Sequence, residues 1–200
     1  MKVLLFCAKG FETMEFSAFV DVLGWARENF GCPVEVETCG FEKTVVSTFG
    51  VPVTMDRTVD EVEAGQYDAI AVPGGFEAFG FYEEAYHWKL LTLLDAFNRQ
   101  GKPIASVCTA ALALGKSGIL KHRRATTYHI GDSMRQTQLA AFGAKTTKKR
   151  FAVDGNVITS CGPETAPEVA FILLEMLCGK EKADAVRAAM GFAPQDGPRA

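Results

Sequence analysis

Cys108 lies where the character of the sequence changes abruptly. Before it, residues 103–107 form a short apolar run opened by Gly-Lys-Pro, and after it come Thr109 and a run of alanine and leucine. The first pattern predicts a buried strand and the second a helix, so the cysteine marks a sharp strand-to-helix turn. A thiol at a helix N-terminus is expected to have a lowered pKa, which favours a nucleophilic thiolate. A buried core cysteine is the alternative interpretation of the same stretch.

Other residues able to do chemistry also follow predicted strands. Glu15 comes shortly after an apolar run over residues 2–7, and it lies four and eight residues before Phe19 and Leu23 on the apolar stripe of a helix. This spacing predicts a desolvated carboxyl with a raised pKa, able to hold its proton and donate a hydrogen bond to sulfur or substrate. An acid that only complements the helix dipole is the alternative for Glu15.

Two further groups complete a candidate site. Pro73-Gly74-Gly75 ends a second apolar strand, and the backbone N–H groups of Gly75 and Thr109 are predicted to form an oxyanion hole. His129 follows a short extended segment and is predicted to orient the substrate or exchange protons, with a loop-capping role as the alternative. Because ligands of parallel sheets bind outside the carboxyl ends of the strands, these groups are expected to converge with Cys108.

The elements that position these residues alternate between strands and helices. One helix is predicted from Phe16 to Gly31, one long helix over Glu83–Gln100, and a hairpin turned by Asp154-Gly155 near the end of the chain. This order is typical of an α/β sandwich with a mostly parallel sheet. We predict a single domain over residues 1–190 and a loose tail over residues 191–200.

Composition excludes several classes of function. The 200 residues carry a net charge of −3, with 48% hydrophobic and 22% charged residues. This composition does not favour binding to nucleic acid or to an anionic membrane. The N-terminal apolar run is too short for a secretory signal, so a cytoplasmic protein is expected. The six cysteines lack regular spacing and indicate free thiols, and the three histidines lack the ligand spacing of a metal site.

Four motifs occur in register along the chain. They are Ala8-Lys9-Gly10-x-Glu12-x-Met14-Glu15, Pro73-Gly74-Gly75, Cys108 at its turn, and Thr159-Ser160-x-Gly162-Pro163-x-Thr165. Together they closely resemble the ThiJ/PfpI superfamily, most of all its DJ-one-like branch. The resemblance implies a flavodoxin-like αβα sandwich of the class I glutamine amidotransferase type, a homodimer, and an oxidisable Cys108 bonded by a protonated Glu15.

The resemblance also implies candidate functions, none of which requires a cofactor. The first is an enzyme of glyoxalase or deglycase type that acts on small reactive carbonyls through Cys108. The second is a redox sensor or protective chaperone in which Cys108 becomes a sulfinic acid. A peptidase is disfavoured because Thr109 stands where the PfpI branch has a histidine. The aromatic loop Phe76 to Tyr82 could shape a different pocket, so a hydratase or hydrolase acting on another small molecule is a further alternative.

Overall fold

The computed structural model describes residues 1–193. Its strands, in chain order, are β1 Lys2–Phe6, β2 Glu35–Gly40, β3 Thr44–Val46, β4 Pro52–Thr54, β5 Arg57–Thr58, β6 Ala69–Val72, β7 Ile104–Ser106, β8 Arg124–Ala125, β9 Lys145–Thr146, β10 Phe151–Asp154 and β11 Val157–Ser160. Its α-helices are α1 Thr13–Phe30, α2 Phe81–Ala85, α3 Trp88–Arg99, α4 Ala111–Lys116, α5 Met134–Ala141, α6 Ala166–Cys178 and α7 Lys180–Ala189.

Seven of these strands form one sheet in the order β10-β11-β7-β6-β1-β2-β5. Every pairing in it is parallel except that between β10 and β11, the hairpin predicted around Asp154-Gly155. β3 and β4 form a separate antiparallel hairpin, and β8 pairs with β9. The predicted α/β class with a mostly parallel sheet is confirmed.

The sheet lies between two layers of helices, because its strands are apolar on both faces. Helices α1, α6 and α7 pack on one face, in a core that includes Phe19, Leu23 and Phe171. Helices α3, α4 and α5 pack on the other face with α2, in a core that includes Phe97 and Leu114. The result is the three-layer sandwich expected from the sequence.

The long helix predicted over Glu83–Gln100 is wrong in one respect, because the structure divides it into α2 and α3. His87 has an extended backbone and its Nδ1 accepts a hydrogen bond from the Lys89 N–H at 3.3 Å, which caps the start of α3. Tyr82 on the short helix has Thr109 and Cys108 as neighbours, and its ring packs 4.9 Å from that of Tyr86. A side chain that caps a helix N-terminus satisfies a donor that has no partner within the helix.

The end of the chain is described only in part. Residues 194–200 of the predicted tail lie outside the described residues, whereas Phe192, also assigned to that tail, packs its ring 5.3 Å from that of Phe171. Within residues 1–193 no helix is long and apolar enough to cross a membrane.

Candidate active site

Cys108 occupies the predicted turn between β7 and α4. The chain leaves β7 at Ser106 and passes through a single 3₁₀ turn, Cys108–Ala110, before α4 begins. Cys108 itself has a φ of +56°, a left-handed conformation that is strained for any residue other than glycine. The residue is 8% exposed, so little of it is in contact with solvent.

Glu15 lies in the first turn of α1 and is fully buried, as its place on the apolar stripe predicts. Its Oε2 accepts a hydrogen bond from the Gly74 N–H at 2.6 Å. Its Oε1 receives no hydrogen bond from any nitrogen or oxygen of the described chain, and the carboxyl interacts with the Cys108 thiol. Burial raises the pKa of Glu15 to about 8, although the Gly74 bond opposes this change. The carboxyl is therefore neutral at pH 7, with Oε1 as the oxygen free to carry the proton.

The expected lowering of the Cys108 pKa is wrong. Burial raises the pKa of the thiol well above its ordinary value, and a negative charge on Glu15 would raise it further. The N–H of Thr109 donates towards the sulfur and opposes this increase. Desolvation prevails because the sulfur is almost enclosed and α4 is only six residues long, so its dipole is small.

The two glycines after β6 hold the chain against its neighbours. A Cβ on Gly75 would lie 2.3 Å from the carbonyl oxygen of Gly10, and one on Gly74 would lie 2.8 Å from that of Val107. No side chain fits at such distances from backbone atoms, so only glycine allows this close approach. The Pro-Gly-Gly segment therefore brings its backbone within reach of both Glu15 and Thr109.

The predicted oxyanion hole differs from the arrangement in the structure. The Gly75 N–H donates to the Thr109 hydroxyl at 3.0 Å, and that hydroxyl donates back to the Gly75 carbonyl at 2.8 Å. The Gly75 N–H therefore already has a partner, while the Thr109 N–H points at the sulfur of Cys108. The oxyanion hole formed by Gly75 and Thr109 stays a prediction for the substrate-bound protein.

His129 is linked to Cys108 through Thr127. The Thr127 hydroxyl donates to the carbonyl oxygen of Cys108 at 2.9 Å, and the Thr127 carbonyl lies 2.9 Å from His129 Nδ1. Gln136 Nε2 lies 3.2 Å from the same nitrogen. Among the hydrogen bonds of residues 1–193 none joins His129 to Cys108 directly. The predicted site residue His129 therefore lies near Cys108 and is linked to it only through Thr127.

Tyr82 was not predicted as a site residue. Its hydroxyl is buried beside Thr109 and Cys108 and makes no hydrogen bond of normal geometry. The Arg135 guanidinium lies 5.0 Å from its ring centre and forms an ion pair with Glu77 at 2.6 Å. Burial raises the pKa of Tyr82, which keeps the phenol a neutral donor. The only signal in the sequence was the unusually aromatic loop in which Tyr82 lies.

Comparison with known proteins decides the family. The model of the DJ-1/PfpI family matches residues 1–176. The chain belongs to this family. Among solved structures, that of Drosophila melanogaster DJ-1beta superposes with a TM-score of 0.84 at 30% identity and covers 96% of this chain and 98% of the other. The flavodoxin-like fold of the class I glutamine amidotransferase type is thereby confirmed.

Two relatives in the DJ-1/PfpI family illustrate its range. Protein DJ-1 homolog B of Arabidopsis thaliana is 35% identical over 185 residues, which are 90% of this chain but only 39% of the plant protein. Deglycase TK1284 of Thermococcus kodakarensis is 30% identical over 167 residues, covering 82% of this chain and 91% of the deglycase. The chain spans less than half the length of each of the three Arabidopsis relatives that it matches.

No group of three or more histidine, cysteine, aspartate or glutamate side chains that could hold a metal ion occurs in the described part of the chain. All six cysteines are free thiols, five of them buried. The arrangement at Cys108 consists of a buried thiol, a neutral carboxylic acid and a buried phenol. These groups can form a covalent bond with an electrophile and move protons around it.

Proposed function

We propose that this protein is a cysteine-dependent enzyme that acts without a cofactor on small reactive carbonyl compounds, as a glyoxalase or deglycase. The observation that carries the proposal is the neutral carboxyl of Glu15 beside the strained Cys108 thiol. The name of the related deglycase from Thermococcus kodakarensis supports the same class of substrate. An acid that keeps its proton at pH 7 can protonate a carbonyl oxygen while the sulfur attacks the carbon.

For an α-oxoaldehyde such as methylglyoxal, the reaction begins with addition of the Cys108 sulfur to the aldehyde carbon. The C–S bond forms, the thiol proton passes to the neighbouring carboxyl, and the carbonyl oxygen takes the proton of Glu15, giving a hemithioacetal. A proton then leaves that carbon, the electron pair moves through an enediol, and the adjacent carbon is protonated. The resulting thioester is hydrolysed by water to a hydroxy acid and the free thiol, so one water is added and no external redox partner is needed.

Tyr82 and His129 have the remaining roles in the proposed reaction. We assign to Tyr82 the hydrogen bond to the developing oxyanion, because its hydroxyl is a buried donor beside Cys108 and Thr109. We propose that His129 exchanges protons with the bound substrate, while the Thr127 carbonyl holds its Nδ1 and orients the ring. Tyr82→Phe is expected to lower kcat about tenfold while leaving the fold intact.

The direct test measures lactate formed from methylglyoxal by the purified protein. Wild type should turn over at least about 100-fold faster than Cys108→Ser, which keeps the shape of the side chain but loses the nucleophile. Cys161→Ser serves as a matched control, because Cys161 is also a buried free thiol. Equal rates for wild type and Cys108→Ser would contradict the enzymatic proposal.

A redox sensor is the second candidate function. The same donor that protonates a substrate would stabilise a sulfinate at Cys108, whose sulfur is otherwise enclosed in an apolar site. Mild peroxide should then add two oxygens at Cys108 before any other cysteine. Peptide mapping in which Cys7 or Cys161 is oxidised first would count against this role.

We propose that the protein is a homodimer, located in the cytoplasm, where a reducing environment suits its free thiols. The rings of Phe49, Phe76 and Phe79 form an exposed aromatic cluster with centroid separations of 6.1 to 6.4 Å. Phe49 is 73% exposed at the tip of the β3–β4 hairpin, and Met14 at the start of α1 is 58% exposed. Apolar surface of this kind is typical of an interface, and it lies beside the first helix, as predicted.

A further inference from the structure

Two cysteines far apart in the sequence and outside the active site share a contact. Cys178 is the last residue of α6, and Cys32 follows Gly31, which ends α1. The thiol of Cys178 interacts with that of Cys32. Cys32 belongs to the core beneath α1 and α6, and Cys178 packs against that core at its edge.

The backbone around this pair is tied together independently. Lys182 Nζ donates to the carbonyl oxygen of Phe30 at 2.8 Å, which joins α7 to the end of α1. The N-terminal amino group of Met1 donates to the carbonyl oxygen of Pro33. Residues from both ends of the chain are therefore held beside the segment that follows α1.

The other cysteines lack such a partner. Cys7 and Cys39 lie on neighbouring strands but belong to the cores on opposite faces of the sheet. Their thiols are directed at the carbonyl oxygens of Leu5 and Gly40 on their own strands. Cys108 is engaged with Glu15 in the active site, and the charged neighbours of Cys161 are Glu164 and Arg150.

We propose that Cys32 and Cys178 form an oxidisable dithiol, a modification site that a hydroperoxide converts into a disulfide between the ends of α1 and α6. The half-buried sulfur of Cys178 attacks the peroxide, the O–O bond breaks, and a sulfenic acid and one molecule of water or alcohol result. The sulfur of Cys32 then displaces hydroxide from the sulfenic acid, and the S–S bond forms with release of water. The two thiols lose two protons and two electrons, and the peroxide is reduced.

The pair is slow to react at neutral pH. Burial and the neighbouring thiol raise the pKa of Cys178 to about 11, while the N-terminal amino group and Lys182 oppose this change. Because the thiolate is the nucleophile, the rate of disulfide formation should rise about tenfold for each pH unit between pH 7 and pH 9. The dithiol therefore persists in a reducing compartment and responds to strong oxidant.

The test treats the full chain with diamide, an azo compound that takes up two hydrogens from a dithiol. Digestion without reductant, followed by mass spectrometry, should show the peptides of Cys32 and Cys178 linked, with the intact mass lower by about 2 Da. Dithiothreitol should restore both thiols. The oxidised protein should melt roughly 5–10 °C higher, because the bond closes a long loop in the unfolded chain.

Variants separate this site from the active site. Cys178→Ser should abolish the linked peptide and the thermal shift, whereas Cys161→Ser and Cys108→Ser should leave both unchanged. Mapping of the wild type alone decides the matter if a variant fails to fold. A link between any other pair, or full alkylation of both thiols after complete reaction of diamide, would overturn the proposal. Lactate formation is not used as a readout, so failure here leaves the proposed enzymatic function untouched.

Discussion

At the scale of single residues, the central relation is that between Glu15 and Cys108. Both groups are desolvated, and the carboxyl of Glu15 interacts with the thiol of Cys108. A carboxylic acid that donates to sulfur stabilises a thiolate that the apolar crevice alone would disfavour. This relation reconciles a reactive cysteine with a pKa that burial raises.

Replacement of Glu15 tests that relation. Glu15→Leu removes the donor, so alkylation of Cys108 at pH 7, where Glu15 holds its proton, should be about tenfold slower than in wild type. Glu15→Gln keeps a donor and should stay closer to wild type while losing proton transfer. The measurement is the pH dependence of iodoacetamide alkylation at Cys108, followed by peptide mass spectrometry. Identical profiles for wild type and Glu15→Leu would show that Glu15 is only a first-turn acid.

Glu15 should also make stability depend on pH. Burial raises its pKa from 4.5 to about 8, so the folded state holds a proton that the unfolded state loses. The contribution is complete below pH 4.5, falls by about 1.4 kcal/mol per pH unit as the pH rises, and levels off above pH 8. The Gln side chain of Glu15→Gln does not titrate, so the variant lacks this pH-dependent contribution. Its free energy of unfolding relative to that of wild type should therefore increase between pH 5 and pH 8. Urea unfolding of both proteins at four pH values measures this difference. A difference that does not change with pH would contradict the assigned pKa of Glu15.

At the scale of elements, a buried ion pair joins α6 to α7. Arg187 is 6% exposed and donates to both oxygens of Glu168 at 2.7 and 2.8 Å, with its guanidinium 4.3 Å from the ring centre of Phe171. Removal of one partner leaves a buried charge without compensation. This pair ties α7 to α6, and it was not among the features predicted from the sequence.

Glu168→Ala should therefore destabilise the protein by about 3 kcal/mol, because Arg187 would remain buried and unpaired. The double variant Glu168→Ala with Arg187→Leu should recover part of this loss. Asp184→Ala is the matched control: it breaks the exposed pair with Lys180 on the same helix and should cost less than about 1 kcal/mol. Urea unfolding decides between these outcomes, and equal losses for Glu168→Ala and Asp184→Ala would contradict the assignment.

At the scale of the whole molecule, the exposed aromatic cluster leads to an expectation about assembly. Phe49 adopts a φ of +67°, a strained conformation for a large side chain, and is nonetheless 73% exposed. A residue of this kind at a hairpin tip is explained if a second copy of the chain covers it. The first helix and the β3–β4 hairpin would then form one continuous contact surface.

Light scattering at micromolar concentration should give the mass of a dimer for the wild type. Phe49→Ser should weaken the dimer at least about tenfold, because one buried aromatic side chain contributes more than 1 kcal/mol to an interface. Trp88→Ser is the control, since Trp88 is 65% exposed but lies outside the aromatic cluster. A monomeric wild type would refute the dimer, and equal effects of both substitutions would refute the assigned surface.

The sequence by itself determined the fold class, the strand-to-helix turn at Cys108 and the burial of Glu15. These follow from local patterns: apolar runs of strand length, the helical spacing of Glu15 with Phe19 and Leu23, and glycines where the backbone approaches another segment. The break between α2 and α3 was missed because it depends on a single capping contact at His87, which the apolar spacing of the helix hides.

Only the tertiary structure decided the chemistry around the thiol. The direction of the Cys108 pKa depends on how completely neighbouring elements exclude water, and no local pattern measures that. The occupied N–H of Gly75, the indirect link to His129 and the unpaired hydroxyl of Tyr82 arise from contacts between segments far apart in the chain. The pairing of Cys32 with Cys178 has the same origin, because it is the packing of α1 against α6 that brings the two sulfurs together.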